Sequence, residues 1–177
     1  MIKKTLLLIF AMVSLPALSE SLTNEDYSNL KKRTIKEHII YETYLETDDG
    51  LASVFGYQFD TYFNDNQCFI LAISGAVGGD RGGYGFAAFG LGQLVPLNDK
   101  FDLNFRGFLG SGGGGGLGAG GGFMVEVHAG ILYNISKSFT AEFNTGYLTF
   151  PTGTFSTPMI NMGIALTETS IFLPWNH

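Results

Sequence analysis

Six polar side chains on alternate positions of three neighbouring segments carry most of the chemistry in this sequence. They are Asp102, Arg106, Glu126, His128, Glu142 and Asn144. A histidine beside a carboxylate can act as a general base, which makes His128 with Glu126 or Glu142 a candidate catalytic pair. Charged groups on one buried face can instead neutralise each other, and burying an unpaired charge is costly. No serine lies beside His128 within its segment, so the sequence favours a structural polar network over catalytic residues.

Glycine, histidine and cysteine residues suggest three further sites, and none has the surroundings that the chemistry needs. The glycine run contains a GxGxxG motif beginning at Gly113, but a dinucleotide loop leads into a helix, and here a strand-like segment follows. His38 and His177 lack a partner at metal-binding spacing. Cys68 is the single cysteine, so it cannot form an internal disulfide and is interpreted as a small packed residue. The sequence therefore predicts no metal site and no cofactor.

The first 19 residues have the pattern of a secretory signal peptide. Lys3 and Lys4 precede the apolar run TLLLIFAMVSLPAL, and the small residues Ala17 and Ser19 provide a cleavage site. The chain has a net charge of −6, which argues against a basic surface for nucleic acid. We expect residues 1–19 to be removed during export, and we predict no nucleic-acid partner.

Charge is concentrated near the N-terminus. Residues 20–50 contain eight acidic and four basic side chains, and the much longer stretch 51–177 contains the same numbers. Residues 20–34 are polar enough to form a solvated periplasmic arm, which makes them a candidate contact for another protein of the cell envelope. Alternating apolar residues then indicate a strand over 35–46, although Glu37 shares the apolar parity.

Turn-forming residues recur at regular intervals after residue 50 and separate seven segments rich in Phe, Tyr, Val and Ile. With the segment at 35–46, they predict an all-β, antiparallel up-and-down arrangement of eight strands over residues 35–168, followed by a C-terminal tail at 169–177. In 101–110, 123–134 and 139–149, every charged residue lies on one parity, and the opposite parity is uncharged and mostly apolar. One face of the sheet is therefore apolar and the other polar.

This alternation is compatible with two arrangements. A soluble periplasmic barrel or sandwich turns the apolar face inward, where it could bind a small apolar ligand, whereas a transmembrane barrel turns that face towards lipid. After Lys36 the only lysines are Lys100 and Lys137, both in turns, and a water-facing sheet normally carries more. Eight aromatic residues flank the turns, as in the interfacial girdles of membrane barrels: Phe63, Phe101, Tyr133, Phe139, Tyr84, Phe123, Tyr147 and Phe150. We therefore predict a transmembrane β-barrel in contact with lipid.

Residues 35–168 resemble the small eight-stranded outer-membrane β-barrels of Gram-negative bacteria, the OmpA/OmpX type. The resemblance implies an outer-membrane location, short periplasmic turns at 64–67, 96–100 and 134–138, and a lumen filled by side chains. It implies a non-enzymatic structural or surface-interaction role. The same class includes lipid A acyl-modifying enzymes, so a lipid-modifying enzyme that uses His128 and Glu126 is the less favoured alternative. Unlike most of the class, this chain continues beyond its last apolar strand, with Glu168 interrupting the terminal pattern.

Overall fold

The computed structural model of the protein describes residues 31–45, 52–79 and 82–172. The predicted signal peptide at 1–19 lies outside the described residues. So do positions 20–30 of the predicted arm and positions 173–177 of the predicted tail. The compact barrel unit runs from Arg33 to Ser170. Within the described part of the chain, no helix is long and apolar enough to cross a membrane.

Eight antiparallel strands form one closed barrel, in which each strand pairs with its neighbours in sequence order. The strands are β1 (Lys31–Tyr44), β2 (Ala52–Tyr62), β3 (Gln67–Gly79), β4 (Gly85–Pro96), β5 (Phe101–Gly113), β6 (Phe123–Asn134), β7 (Phe139–Thr149) and β8 (Ser156–Phe172). The barrel closes between β8 and β1, where the Leu45 amide donates to the Pro158 carbonyl at 2.9 Å. The predicted eight-stranded antiparallel barrel is therefore confirmed, and residues 35–44 of the predicted first strand belong to it.

The two terminal strands extend beyond the predicted barrel boundaries at 35 and 168. β1 begins at Lys31, within the predicted arm, and β8 continues to Phe172, within the predicted tail. Both extensions are rich in polar residues, so apolar alternation does not reveal them. Glu168 interrupts the apolar pattern without ending the strand, because a polar side chain does not prevent an extended backbone.

Apolar side chains cover the outside of the barrel. Phe89 is 74% exposed, and Ile73, Phe105, Val127 and Phe143 are also exposed along the strands. The opposite parity points into the lumen, where polar and apolar side chains are both buried. The alternative of a barrel with its apolar face inward is therefore wrong. An exterior of this kind matches the apolar band that membrane barrels present to lipid.

The predicted aromatic girdle needs a correction at two positions. Tyr84 and Phe150 are buried, and each packs inside the barrel near the ends of β4 and β7. Both residues continue the alternation of inward-facing positions in the adjoining strand. Their position beside a turn does not by itself show this. The other six side chains are exposed on the exterior: Phe63, Phe101, Phe123, Tyr133, Phe139 and Tyr147. Their contact with the membrane interface stays a prediction.

Glycines on the inward parity leave room for the polar side chains of the lumen. A Cβ atom at Gly146 would lie 2.8 Å from Cδ2 of His128 and 2.9 Å from Cε of Met159. A Cβ atom at Gly130 would overlap Oδ1 of Asn144. These glycines are therefore required by close approach to side chains and backbone of the adjacent strands.

Replacement of Phe89 by arginine tests whether the exterior of the barrel contacts lipid or water. We expect Phe89→Arg to lower the free energy of unfolding in lipid vesicles by about 2–4 kcal/mol, because a charge near the middle of the bilayer is poorly solvated. The matched control is Leu97→Arg, at an exposed apolar residue in the turn between β4 and β5. Urea titrations of the refolded proteins measure both. Equal stability of the two variants would contradict a lipid-facing exterior.

Addition of one methyl group at Gly146 tests the packing of the lumen. Gly146→Ala should reduce stability by about 1–3 kcal/mol, because the new Cβ overlaps the Val127 carbonyl oxygen and crowds His128 and Met159. Gly107→Ala is the control, since a Cβ there meets nothing within 4 Å. The same urea titration applies, and a Gly146→Ala variant as stable as Gly107→Ala would show that the lumen is loosely packed.

Candidate functional site in the barrel lumen

The first group of buried polar residues surrounds Arg106. This Arg106 cluster consists of Arg106 on β5, His38 on β1, Asp60 on β2 and Glu142 on β7, so it joins four strands across the lumen. Inward parity places each side chain there, and all four are buried. The cluster is a polar cross-brace, meaning that its side chains connect strands that are not all neighbours in the sheet.

Every charged group of the Arg106 cluster has a partner of opposite charge. Nε2 of His38 lies 3.0 Å from Oδ2 of Asp60, and Nδ1 of His38 lies 2.9 Å from Oε1 of Glu142. Both ring nitrogens face carboxylate oxygens, so the imidazolium form of His38 satisfies both contacts. Nη2 of Arg106 lies 3.1 Å from Oδ2 of Asp60 and 3.7 Å from Oε2 of Glu142. Two cations thus face two anions, which is the condition for burying charge at acceptable cost.

Three asparagine side chains continue from Arg106 as a directed chain of hydrogen bonds. Nε of Arg106 donates to Oδ1 of Asn104 at 3.1 Å, and Nδ2 of Asn104 donates to Oδ1 of Asn144 at 3.0 Å. Asn144 then donates to Oδ1 of Asn161 at 2.7 Å, and Asn161 contacts Nδ1 of His128 at 3.1 Å. A guanidinium group can only donate, so it sets the orientation of each amide in turn. This direction makes Nδ1 of His128 an acceptor and leaves the ring proton on Nε2.

The second group of buried polar residues, the Glu-His cluster, consists of Glu42 on β1 with Glu126 and His128 on β6. Nε2 of His128 lies 2.6 Å from Oε1 of Glu126 and 3.9 Å from Oε2 of Glu42. The shorter contact does not have hydrogen-bond geometry, and Nε2 of His128, Oε2 of Glu126 and Oε1 of Glu42 have no hydrogen-bond partner. One potential ligand atom from each residue lies within 4.8 Å of the other two. Among the residues that the structure describes, these three form a group that could hold a metal ion.

The structure brings together five of the six predicted lumen residues: Arg106, Glu126, His128, Glu142 and Asn144. Asp102 is the exception. It lies at the end of β5 next to a short turn, is half-buried, and accepts a hydrogen bond from Asn134 at 2.9 Å. A shared face does not bring side chains together when they lie at different heights along the barrel.

Sequence reasoning missed six buried polar residues, namely five members of the two clusters and the asparagine chain and one further partner of Arg106: His38, Glu42, Asp60, Asn104, Asn161 and Gln58. Sequence reasoning considered only the apolar alternation of β1 and assigned no role to His38 and Glu42. The polar residues that alternate with the apolar ones along β1 and β2 were the signal that could have identified this set. Gln58 accepts from Nη1 of Arg106 at 2.5 Å. Five of the six missed residues lie on β1, β2 and β8, which are outside the three strands that sequence reasoning used.

Apolar and aromatic side chains are buried near both ends of the barrel. At the end of the barrel that carries the glycine-rich loop between β5 and β6, the hydroxyl of Tyr44 donates to that of Tyr84 at 3.3 Å, and Phe150 packs with them. The glycine-rich loop is held over this end, because the Gly118 carbonyl accepts from the Thr154 amide at 2.7 Å. At the short-turn end, the buried side chains are Tyr62, Cys68, Leu94 and Leu132. Cys68 is a free, buried thiol.

The location of His128 and Glu126 bears on the lipid-modifying alternative. Both side chains point into the lumen and are 4% and 2% exposed. An acyl chain in the membrane lies outside the barrel wall, so neither group faces it. The geometry therefore gives no support to catalysis on lipid by this pair.

Removal of the Arg106 charge tests the charge balance of the lumen. We expect Arg106→Met to lower the free energy of unfolding by about 3–5 kcal/mol, because Asp60 and Glu142 then share a single cation. Adding Glu142→Gln should recover part of this loss, since it removes one of the two anions. Lys137→Met, in an exposed turn, is the control for loss of one positive charge. Urea titration in vesicles measures all four proteins, and no recovery in the double variant would contradict the pairing.

Comparison with known proteins gives matches at the level of structure. No protein-family model and no curated protein matches the chain. The N-terminal β-barrel domain of Pseudomonas aeruginosa OprF matches with a TM-score of 0.58 and 11% identity, covering 76% of this chain and 97% of that one. Neisserial surface protein A matches with a TM-score of 0.51 and 11% identity, covering 77% and 98% of the two chains. A de novo designed transmembrane β-barrel matches with a TM-score of 0.57 and 12% identity, covering 76% and 95%. The chain thus has the fold of the small eight-stranded outer-membrane β-barrels.

Proposed function

We propose that this protein is a non-enzymatic outer-membrane barrel that serves a structural or surface-interaction role and does not form an open pore. The observation that carries the proposal is the filled lumen. The Arg106 cluster crosses the interior, and apolar side chains occupy the space on either side of it. An eight-stranded barrel has an interior just wide enough for its own side chains, so we infer that this packing blocks a continuous water path through the described part of the barrel.

Three independent features support placement in the outer membrane. The first 19 residues have the pattern of an export signal. The exterior of the barrel is apolar along its strands. The fold is shared with a designed transmembrane barrel and with the barrel domain of OprF. We further propose that the short turns face the periplasm and that residues 20–34 contact another envelope protein there.

The role of the protein must come from its surfaces, because the fold itself does not specify one. The glycine-rich loop between β5 and β6 is held by backbone hydrogen bonds from the amides of residues 154 and 155 to the Gly118 carbonyl. The glycine-rich loop is therefore held against the loop between β7 and β8 at this end of the barrel. Such an end suits a barrel that contributes to membrane integrity or makes limited surface contacts.

Fractionation followed by conductance measurement tests this proposal. We expect the full-length protein, expressed in a Gram-negative host, to appear in the outer-membrane fraction and to show a heat-dependent shift in gel mobility. The extracted barrel should produce no stepwise current in a planar lipid bilayer, with a porin as the positive control. Recovery from the soluble periplasm without detergent would contradict the membrane location. Reproducible single-channel steps would contradict the closed lumen.

A variant lacking residues 115–121 tests whether the glycine-rich loop or the lumen side chains block ion flow. This deletion removes most of the glycine-rich loop and keeps the Arg106 cluster. We expect the bilayer current to remain absent, because the polar cross-brace still fills the lumen. Steps that appear only in this variant would assign the barrier to the loop and would contradict the proposed role of the lumen side chains.

A further inference from the structure

We propose that Glu42, Glu126 and His128 form a binding site for a divalent transition-metal ion inside the barrel. The proposal goes beyond the structural role above, and it differs from the expectation of no metal site, which rested on residue spacing. Glu42 is far from the other two residues in the sequence, and only closure of the barrel brings β1 to face β6 across the lumen.

The contrast between the two buried clusters is the first argument. The Arg106 cluster contains two carboxylates and supplies Arg106 and His38 to balance them. The Glu-His cluster also contains two carboxylates, but among the described residues neither Glu42 nor Glu126 pairs with a lysine or an arginine. Two buried anions without a cation are costly. One divalent cation neutralises both.

The unpartnered atoms are the second argument. Buried polar atoms in proteins nearly always have a hydrogen-bond partner, so each exception requires an explanation. Five such side-chain atoms occur among the described residues, and three of them belong to Glu42, Glu126 and His128. All three side chains are at least nine-tenths buried. Each of these residues thus carries an unpartnered atom, and one potential ligand atom of each lies within 4.8 Å of the other two, which points to a missing shared partner.

Donor chemistry and spacing determine the class of ion. Two carboxylate oxygens and one imidazole nitrogen form a donor set that suits Zn²⁺ and related first-row ions, and three protein ligands leave one position open. Ligand atoms about 2.1 Å from one tetrahedral ion lie about 3.4 Å from each other. The two measured separations from Nε2 of His128 are 2.6 and 3.9 Å, so small side-chain adjustments bring the donors to that spacing. Calcium fits poorly, because it requires six to eight oxygen ligands.

Asn161 supplies the outer contact of the proposed site. Metal-bound histidines usually hold their second ring nitrogen in a hydrogen bond that fixes the ring orientation. Nδ1 of His128 already contacts the Asn161 side chain at 3.1 Å. Coordination through Nε2 places the ring proton on Nδ1, and rotation of the Asn161 amide then turns its oxygen to accept that proton. Binding is therefore coupled to a change at the end of the asparagine chain.

Metal content and thermal stability of the full-length barrel test the proposal. The protein is extracted in detergent, stripped by unfolding in urea with a chelator, refolded in detergent with ZnCl₂ or without it, and dialysed before elemental analysis. We expect one Zn²⁺ per barrel and a higher melting temperature with Zn²⁺ than after stripping. Glu126→Gln and His128→Gln should each weaken Zn²⁺ binding on the order of 100-fold or more, because each removes a direct ligand.

Asp102→Asn is the matched control, since it removes an inward-facing carboxylate outside the Glu-His cluster. It should retain one Zn²⁺ per barrel. Heat-shifted gel mobility verifies that every variant is folded, and the melting temperature of the wild-type protein gives a readout that depends on no variant. Two results would overturn the proposal. A stripped wild-type barrel that retains no Zn²⁺ shows that protons neutralise the two carboxylates. Equal Zn²⁺ content in Glu126→Gln and the wild type shows that surface groups bind the ion.

Discussion

The closed ring of backbone hydrogen bonds around eight strands is the constraint on which the rest of this structure depends. Closure leaves no free strand edge in the membrane, where unpaired peptide groups are not tolerated. It also sets the width of the lumen, because barrel diameter follows strand number. Every inward side chain must fit that width, and glycines at Gly130 and Gly146 stand where an opposing side chain already occupies the space.

A narrow lumen surrounded by lipid places strict conditions on charge. Water cannot solvate the buried groups, so each ionised side chain needs a partner within the barrel. The Arg106 cluster meets this condition through His38, which lies between the carboxylates of Asp60 and Glu142. The asparagine chain extends the order imposed by Arg106 as far as His128. The Glu-His cluster, at the end of that chain, lacks a cation from the described residues, and this difference gives it functional interest.

Much of the fold could be predicted from sequence because strands in a two-faced barrel have a period of two residues. Alternation in β5, β6 and β7 identified their polar face and five residues that meet inside the barrel. The same reasoning failed for Asp102, because parity determines the face of a residue but not its height along the barrel axis. It failed for Tyr84 and Phe150, because aromatic residues beside turns can close the lumen as well as face the membrane interface.

By itself, the sequence determined that the chain forms about eight strands with one apolar and one polar face, because turn signals and residue parity are local properties. Only the tertiary structure decided that the apolar face is outside, since alternation is identical for a barrel and for its inverse. Only the tertiary structure brought Glu42 to Glu126 and His38 to Glu142. These contacts cross the lumen between distant segments, and they depend on barrel closure and strand register, which no local pattern specifies.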